Sequence, residues 1–375
     1  MCNKKIVYIN GDFDPTLCSG VSASFFDLFK YLKTLGYDPY IVGFSPEWVN
    51  YLETKDIIEQ MGGNILSCSD SHIDCILEGI NISCERLPYS RMDIRLNKQP
   101  EVLKRYIQKL KEFSGAYFFT ADIDLTSIVA NVIVGTNFAH HVRSPVVSLD
   151  ILKSNSPMYI SFLKSRKVFT VSSASQKMIK NELGISSSIW TPFIDLNRFK
   201  FKEQCNINNK IGYYSAGLHK GDAIVKNLIK SMPDCHFIIM GNGSYSFSEY
   251  PNVSVLGRET NLKNFYSEVS LILIPSTIID GHPRITIEAA INGIPVIANK
   301  IGGIPEALGD SGIMVSADLK DTEITNQYRD IINSFFNEDD LYKQYSKKAY
   351  RRAEEYRKNI TSLSSSHMDM LLHNL

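Results

Sequence analysis

The chain has 375 residues, and at roughly 150 residues per domain two sizeable domains are the natural expectation. Its 40 Lys and Arg balance its 40 Asp and Glu, so no field of one sign draws in nucleic acid or another polyanionic partner. With 44% apolar residues, 19 Phe and 19 Tyr, it has material for large cores and is not a disordered or low-complexity sequence.

The opening MCNKKIVYIN moves straight into a strand with no signal-peptide core. No apolar run reaches the roughly 18 residues of a membrane-spanning helix. A cytoplasmic protein is expected, with the inner face of a membrane as an alternative setting and at most weak peripheral attachment. Seven cysteines are widely spread without a C-x-x-C pair and read as reduced, mostly buried thiols. Cys68, Cys75 and Cys84 lie near His72, but their spacing fits no structural zinc finger.

Apolar runs alternate with amphipathic stretches, the pattern of βαβ units around a mainly parallel sheet, so the fold class is α/β. KKIVYIN predicts a strand, GDFDPTLCSG a turn-rich loop, and VSASFFDLFKYLKTLG a helix. That helix has Phe25, Leu28, Phe29 and Leu32 on one face and Gly36 as its stop. Strands follow at PYIVGF, 116–119, 145–149 and 168–172, the last leading into the helix ASQKMIKNELG. Around Pro192 the periodicity lapses, which places a domain boundary there. A second βα series then runs through IGYYSAG, GDAIVKNLIKSM, CHFIIMG, VSVLG, NLKNFYSEV, LILIPS, PRITIEAAIN, IPVIAN, IPEAL and GIMVS. The expected domains are 1–192, 193–355 and a final helix over 356–375. The tail is helical with Tyr328, Ile331, Ile332, Phe335 and Phe336 as its apolar face. Its basic residues Lys347, Lys348, Arg351 and Arg352 read as a solvated surface.

Chemistry concentrates in 271–315. A strand ends at Pro275, a loop delivers Asp280, Gly281 and His282, and a helix starts near Pro283, with free N–H groups that attract phosphate. Arg284 in its first turn opposes the helix dipole, which an anionic ligand explains. Glu288, one turn on, can accept two hydrogen bonds from a vicinal diol. On chemistry alone Asp280 reads equally as a loop cap and Glu288 as a surface helix residue. Gly302-Gly303 before Pro305 form a second glycine nest, and two helix starts one strand apart make a diphosphate cradle without a metal.

These residues resemble the retaining glycosyltransferases of family 4. That family has the GT-B architecture: two Rossmann-like domains facing a central cleft, with a C-terminal helix crossing back to the N-domain. Its E-x7-E motif is matched by Asp280-Gly281-His282-Pro283 and Glu288-Ala289-Ala290. Gly293-Ile294-Pro295-Val296-Ile297-Ala298 and Gly302-Gly303-Ile304-Pro305-Glu306 match the segments that follow it. PFIDLNRF looks like the interdomain link, SAGLHKG like the phosphate-lysine loop, and MGNG and LGRE like later loops of the second domain.

The resemblance implies that Glu288 holds the nucleotide ribose, Asp280 contacts the donor sugar and Lys220 binds the diphosphate. Backbone near Arg258 meets the base, and Gly281, His282, Pro283, Arg284 and Ile285 meet the phosphates and sugar. Gly217, Gly241, Gly302 and Gly303 complete the donor loops, and Gly20 ends a loop bordering acceptor and diphosphate. The zero net charge would then conceal a local cationic pocket of Lys220, Arg284, Arg258 and helix starts.

Three departures stand out. Asp280 replaces a glutamate. Tyr214 and Ser215 stand where an arginine is usual, with Arg284 or Arg258 as candidate replacements. PVVSLDILK lacks a histidine, leaving Asp150 as the nearest polar candidate for the catalytic set Asp280, Glu288, Lys220 and Asp150. His140 and His141 precede that segment; Asp12, Asp14, Asp122 and Asp124 could border the cleft or be turn residues.

The implied activity is transfer of a sugar from a nucleotide-diphosphate sugar, UDP foremost, to a hydroxyl of a glycan, lipid-linked glycan or small-molecule acceptor, with retention and no metal cofactor. Alternatives are a GT-B nucleotide-sugar epimerase and a catalytically degenerate nucleotide-sugar-binding subunit.

Overall fold

Every residue of β1 (Lys5–Asn10) except the first is buried, the pattern of a central parallel strand covered on both faces. The structure is a computed structural model. It describes residues 4–11, 13–17, 20–45, 50–86, 100–121, 130, 133, 138–143, 157–164, 166–201, 207–215, 220–257 and 262–373. Two units emerge, Met1–Val171 with Ser175–Phe193, and Ser172–Ala174 with Ile194–Leu375.

In the first unit β1 is followed by α1 (Gly20–Thr34), β2 (Asp38–Ser45), α2 (Tyr51–Gln60), β3 (Asn64–Cys68), β4 (His72–Leu77), β5 (Ile80–Arg86), α3 (Pro100–Lys111), β6 (Tyr117–Ala121), β7 (Phe138–Val142), α4 (Pro157–Lys164), β8 (Lys167–Thr170), α5 (Ser173–Leu183) and β9 (Ser188–Ile189). The strand order is β3-β4-β5-β2-β1-β6-β7-β8-β9. Phe25, Leu28, Phe29 and Leu32 of α1 are buried as the sequence periodicity predicts, with Phe25 stacked on Tyr8 at 3.8 Å. A separate cluster packs Val7, Ile9, Val42 and Phe44 with Tyr106, Leu110 and Phe113.

The sequence reading has no counterpart for β3, β4 and β5, where the pairing turns antiparallel. β4 and β5 are joined by Glu78 and Gly79, both at positive φ (47° and 76°), as a two-residue hairpin of the I′ kind requires. Cys75 and Cys84 are buried here; burial pushes the Cys75 thiol up to about 12 and the Cys84 thiol well above its ordinary value. They behave as small apolar side chains, and among the described residues no group of three or more His, Cys, Asp or Glu could hold a metal ion. The strand expected at 145–149 lies outside the described residues.

The second unit has six parallel strands: β10 (Lys210–Tyr214), β11 (His236–Met240), β12 (Val253–Gly257), β13 (Leu271–Ile274), β14 (Val296–Lys300) and β15 (Gly312–Ser316). Their order is β12-β11-β10-β13-β14-β15. The connecting helices are α6 (Asp222–Ser231), α7 (Leu262–Tyr266), α8 (Ile285–Ala290) and α9 (Ile304–Leu308), followed by α10 (Asp321–Asn337) and α11 (Asp339–His373). The chain moves outward from β10 to β12, then returns to lay β13 on the other side of β10. That reversal is a topological switch point, where open α/β sheets bind ligands at the carboxyl ends of their strands. Ile224, Val225, Leu228 and Ile229 of α6 pack with Ile324, Tyr328, Ile332 and Phe335 of α10 over this sheet.

The tail corrects one expectation. Residues 356–373 are not a separate helix but the continuation of α11, whose buried Tyr342, Ala349, Ala353, Tyr356 and Ile360 keep one helical face from end to end. Arg352 departs from the solvated reading: its guanidinium donates to the carbonyls of Ala307 and Glu306 and so satisfies the C-terminal end of α9. Among the described residues no helix is long and apolar enough to cross a membrane.

Candidate functional site

Two loops leave the sheet at the switch point. One follows β10 and delivers Lys220 immediately before α6; the other follows β13 and delivers Asp280. Lys220 Nζ donates to Asp280 Oδ2, with the lysine side chain a third exposed and the aspartate at 12%. The lysine and acid drawn from distant sequence are therefore brought together. Glycine makes the approach possible: Gly221 sits at φ 93°, and a Cβ there would lie 2.1 Å from the Pro275 carbonyl oxygen.

The glycines after β14 pack closely against the Asp280 loop. The Gly303 amide donates to the Asp280 carbonyl at 2.7 Å. A Cβ on Gly303 would lie 1.7 Å from the Gly281 carbonyl oxygen, and one on Gly302 2.5 Å from that of Asp280. Gly302 and Gly303 thus let two loops pack backbone to backbone and fix the Asp280–Gly281 loop. Gly241 acts similarly. Its amide donates to Gly257 at 2.6 Å, and its Cβ would lie 2.3 Å from the Ser215 carbonyl oxygen.

α8 begins at Ile285 with Arg284 as its N-cap, later than Pro283. Pro283 O accepts from the Thr286 amide (3.3 Å) and hydroxyl (2.7 Å), and Arg284 O accepts from the amides of Ile287 (2.9 Å) and Glu288 (3.0 Å). The first-turn amides of residues 286–288 are engaged internally, which corrects the expectation of free donors there. Arg284 makes an internal contact that the sequence did not suggest. Its Nε donates to Glu288 Oε1 at 2.9 Å, one helical turn away, and its guanidinium carbon lies 5.4 Å from the Phe199 ring centre. The anion that explains an arginine at this helix start is the protein's own Glu288.

Glu288 is 9% exposed, and its second oxygen, Oε2, accepts from Tyr266 OH at 2.6 Å. Burial and the neighbouring carboxylate push the Tyr266 phenol well above its ordinary value, so it stays a donor. Asn292 Nδ2 bridges the carbonyls of Glu288 (2.9 Å) and Phe199 (2.5 Å), while its Oδ1 accepts from the Phe201 amide at 2.7 Å. The cationic pocket expected from the sequence is therefore two ion pairs among the described residues, Lys220 with Asp280 and Arg284 with Glu288. Burial favours pairing of charges in this way.

Near Lys220, the buried Asp222 accepts from Tyr213 OH at 2.6 Å and Ser215 Oγ at 2.9 Å, so a carboxylate already sits in the first turn of α6. His282 is 6% exposed, its ring 6.5 Å from that of Tyr356 in α11. Pro283 is buried and Ile285 half-buried beside it. In the first unit Gly20 opens α1. Asp14 Oδ1 accepts from the amide and hydroxyl of Thr16, a turn role.

His140 and His141 lie inside β7, and the segment 145–149 that they precede lies outside the described residues. His140 meets Thr120 Oγ1 at 2.7 Å, and burial holds its pKa at about 3. The His141 ring lies among Phe25, Phe169 and Trp190. Asp150, Gly217 and Arg258 lie outside the described residues, as do Asp12, Asp122 and Asp124. Tyr266, Phe199, Asn292 and Asp222 were not singled out by sequence, because nothing local links Tyr266 to a carboxylate 22 positions away.

Residues 221–334 match the family model described as glycosyl transferases group 1. No curated protein sequence matches the chain. Among solved structures the chain is similar to HepE from Anabaena in complex with UDP and glucose. They share 16% identity, with 98% of this chain and 99% of that one covered and a TM-score of 0.70. It is also similar to sucrose-phosphate synthase from Thermosynechococcus elongatus, with 15% identity, 98% and 99% covered, and a TM-score of 0.69. TarM gives 13% identity over 98% and 99%, with a TM-score of 0.68. The fold is the GT-B fold of glycosyltransferases, over nearly the whole chain. The family match in the second unit and these neighbours together support a glycosyltransferase and do not favour the epimerase reading.

Proposed function

We propose that the protein is a retaining glycosyltransferase of the family 4 type, moving a hexosyl group from a UDP-sugar to a hydroxyl of a glycan, lipid-linked glycan or small-molecule acceptor. The observation that supports this best is the meeting of Lys220 and Asp280 at the switch point of a parallel sheet. An ammonium has three N–H donors. One goes to Asp280 Oδ2, which leaves others for a diphosphate, while Oδ1 of the same aspartate can receive a sugar hydroxyl.

In this reading the bond from the sugar's anomeric carbon to the diphosphate oxygen breaks as the bond to the acceptor oxygen forms on the same face. The acceptor proton passes to the departing phosphate. Charge grows on the diphosphate, and Lys220 stabilises that growth more than it stabilises the ground state. Glu288 receives the ribose hydroxyls, and backbone of 281–285 borders phosphates and sugar. Asp150, Gly217 and Arg258 are proposed to complete the site, Arg258 near the base, and Gly20 to border the acceptor. No metal is required in this scheme, because a fixed cation takes the place of one.

A thermal-shift panel of UDP, GDP, ADP and dTDP with their sugars tests the donor, since a ligand of the native state raises stability with its affinity. The expected result is stabilisation by UDP and a UDP-sugar in the presence of EDTA; stabilisation by none, or only with a divalent cation, would count against the reading. Incubation of the protein with the UDP-sugar alone should give no epimer.

A further inference from the structure

Each carboxylate oxygen of Glu288 already carries one internal donor, Arg284 Nε on Oε1 and Tyr266 OH on Oε2. An ionised carboxylate offers about four acceptor positions, so one remains on each oxygen. Two positions on adjacent oxygens of one rigid group match the paired O–H donors of a vicinal diol. Both internal donors are themselves held. Tyr266 is 1% exposed and lies edge-on to Phe265 at 5.1 Å, with Phe201 stacked at 6.2 Å. The Arg284 guanidinium rests over Phe199, and Asn292 ties Phe199 and Phe201 to the backbone of Glu288.

We propose that Tyr266 and Arg284 are positioning residues for donor recognition: each occupies one lone pair of Glu288, and together they lock the carboxylate so that its two remaining acceptor positions select the vicinal hydroxyls of a ribose. The proposal rests on the reading of Glu288 as the ribose acceptor. A purely structural role, in which the pair only neutralises and packs a buried charge, differs in consequence. It would lower stability on substitution without changing discrimination between ribose and deoxyribose.

The test is calorimetric binding of UDP and 2′-deoxy-UDP to the full chain, the wild type against Glu288→Gln, Tyr266→Phe and Arg284→Lys. Tyr266→Phe removes one hydroxyl, and Arg284→Lys keeps the charge but loses the planar stacked fork. The wild type is expected to prefer UDP by about tenfold, the value of a hydrogen bond to a charged group. In all three variants that ratio should fall toward one, through a larger loss of UDP affinity than of 2′-deoxy-UDP affinity, since the 2′-hydroxyl contact is the one that the deoxy nucleotide never makes. A wild type that binds both nucleotides equally, or a Glu288→Gln variant that keeps the preference, would overturn the reading of Glu288 and the proposal with it. Loss of the preference in Glu288→Gln, with its retention in Tyr266→Phe and Arg284→Lys, would overturn the positioning proposal alone, whatever those variants do to the melting temperature.

Discussion

Lys220 and Asp280 pair partly exposed to solvent, where an ion pair contributes at most about 1 kcal/mol. The pair is therefore of little use as a stability device, and its substitutions should read out on ligand binding. Lys220→Ala is expected to weaken UDP binding at least about tenfold, the loss of a charge-assisted contact, with the melting temperature almost unmoved. Asp280→Asn should do the opposite to UDP. The lysine is released from a competing anion, so UDP affinity is kept or rises, while sugar transfer falls because the acceptor for a sugar hydroxyl is weakened. Calorimetry with UDP beside a turnover assay separates the two. Equal loss of UDP affinity in both variants would refute the division of roles.

At the scale of elements, glycine sets how closely neighbouring loops pass. Gly303→Ala places a Cβ 1.7 Å from the Gly281 carbonyl oxygen, so the Asp280–Gly281 loop must move. A cost of about 3 kcal/mol or more is expected, in the range of severe overpacking, together with loss of UDP-dependent stabilisation. Gly62→Ala provides the contrast. Gly62 has φ 81° but nothing within 4 Å of its built Cβ, so only the backbone cost of about 1 kcal/mol remains. Denaturant melts of the two variants compare these directly; similar losses would show that steric closure of the loop is not what Gly303 prevents. The β4–β5 hairpin belongs to the same scale. Its strands HIDCIL and INISCER pair across Glu78-Gly79, a turn weaker as a sequence signal than Asn-Gly, which is why the antiparallel extension went unread.

For the whole molecule, acid should be destabilising through buried histidines in both units. Burial holds His140 at about 3 and His367 at about 4, against 6.5 when exposed. Above pH 6.5 both residues are neutral whether folded or unfolded and contribute no slope. Below 6.5 the unfolded chain takes up protons that the native state refuses, so stability falls as pH drops, by up to about 1.4 kcal/mol per unit per histidine. The His367 contribution ends near pH 4 and that of His140 near pH 3. Urea melts between pH 7 and 5 should show this decline, and His367→Gln should make it shallower; an unchanged slope would exclude that histidine as a cause.

Sequence by itself determined the α/β class, the apolar faces of α1 and α10, and the run of strand, glycine turn and helix from β13 to α9. These depend on local periodicity and turn chemistry, which a linear pattern carries. It also supplied the candidates Lys220, Asp280 and Glu288. What their side chains meet was decided only by tertiary structure. Arg284 looked available for an anion because charge and position are local properties, whereas its pairing with Glu288 and Phe199 depends on which rotamers a packed interior permits. Gly302 and Gly303 looked like ligand contacts because glycine signals close approach without naming what approaches. Tyr266 carried no signal at all: a hydrogen bond between residues 22 positions apart forms only once α7 and α8 are packed in the same unit.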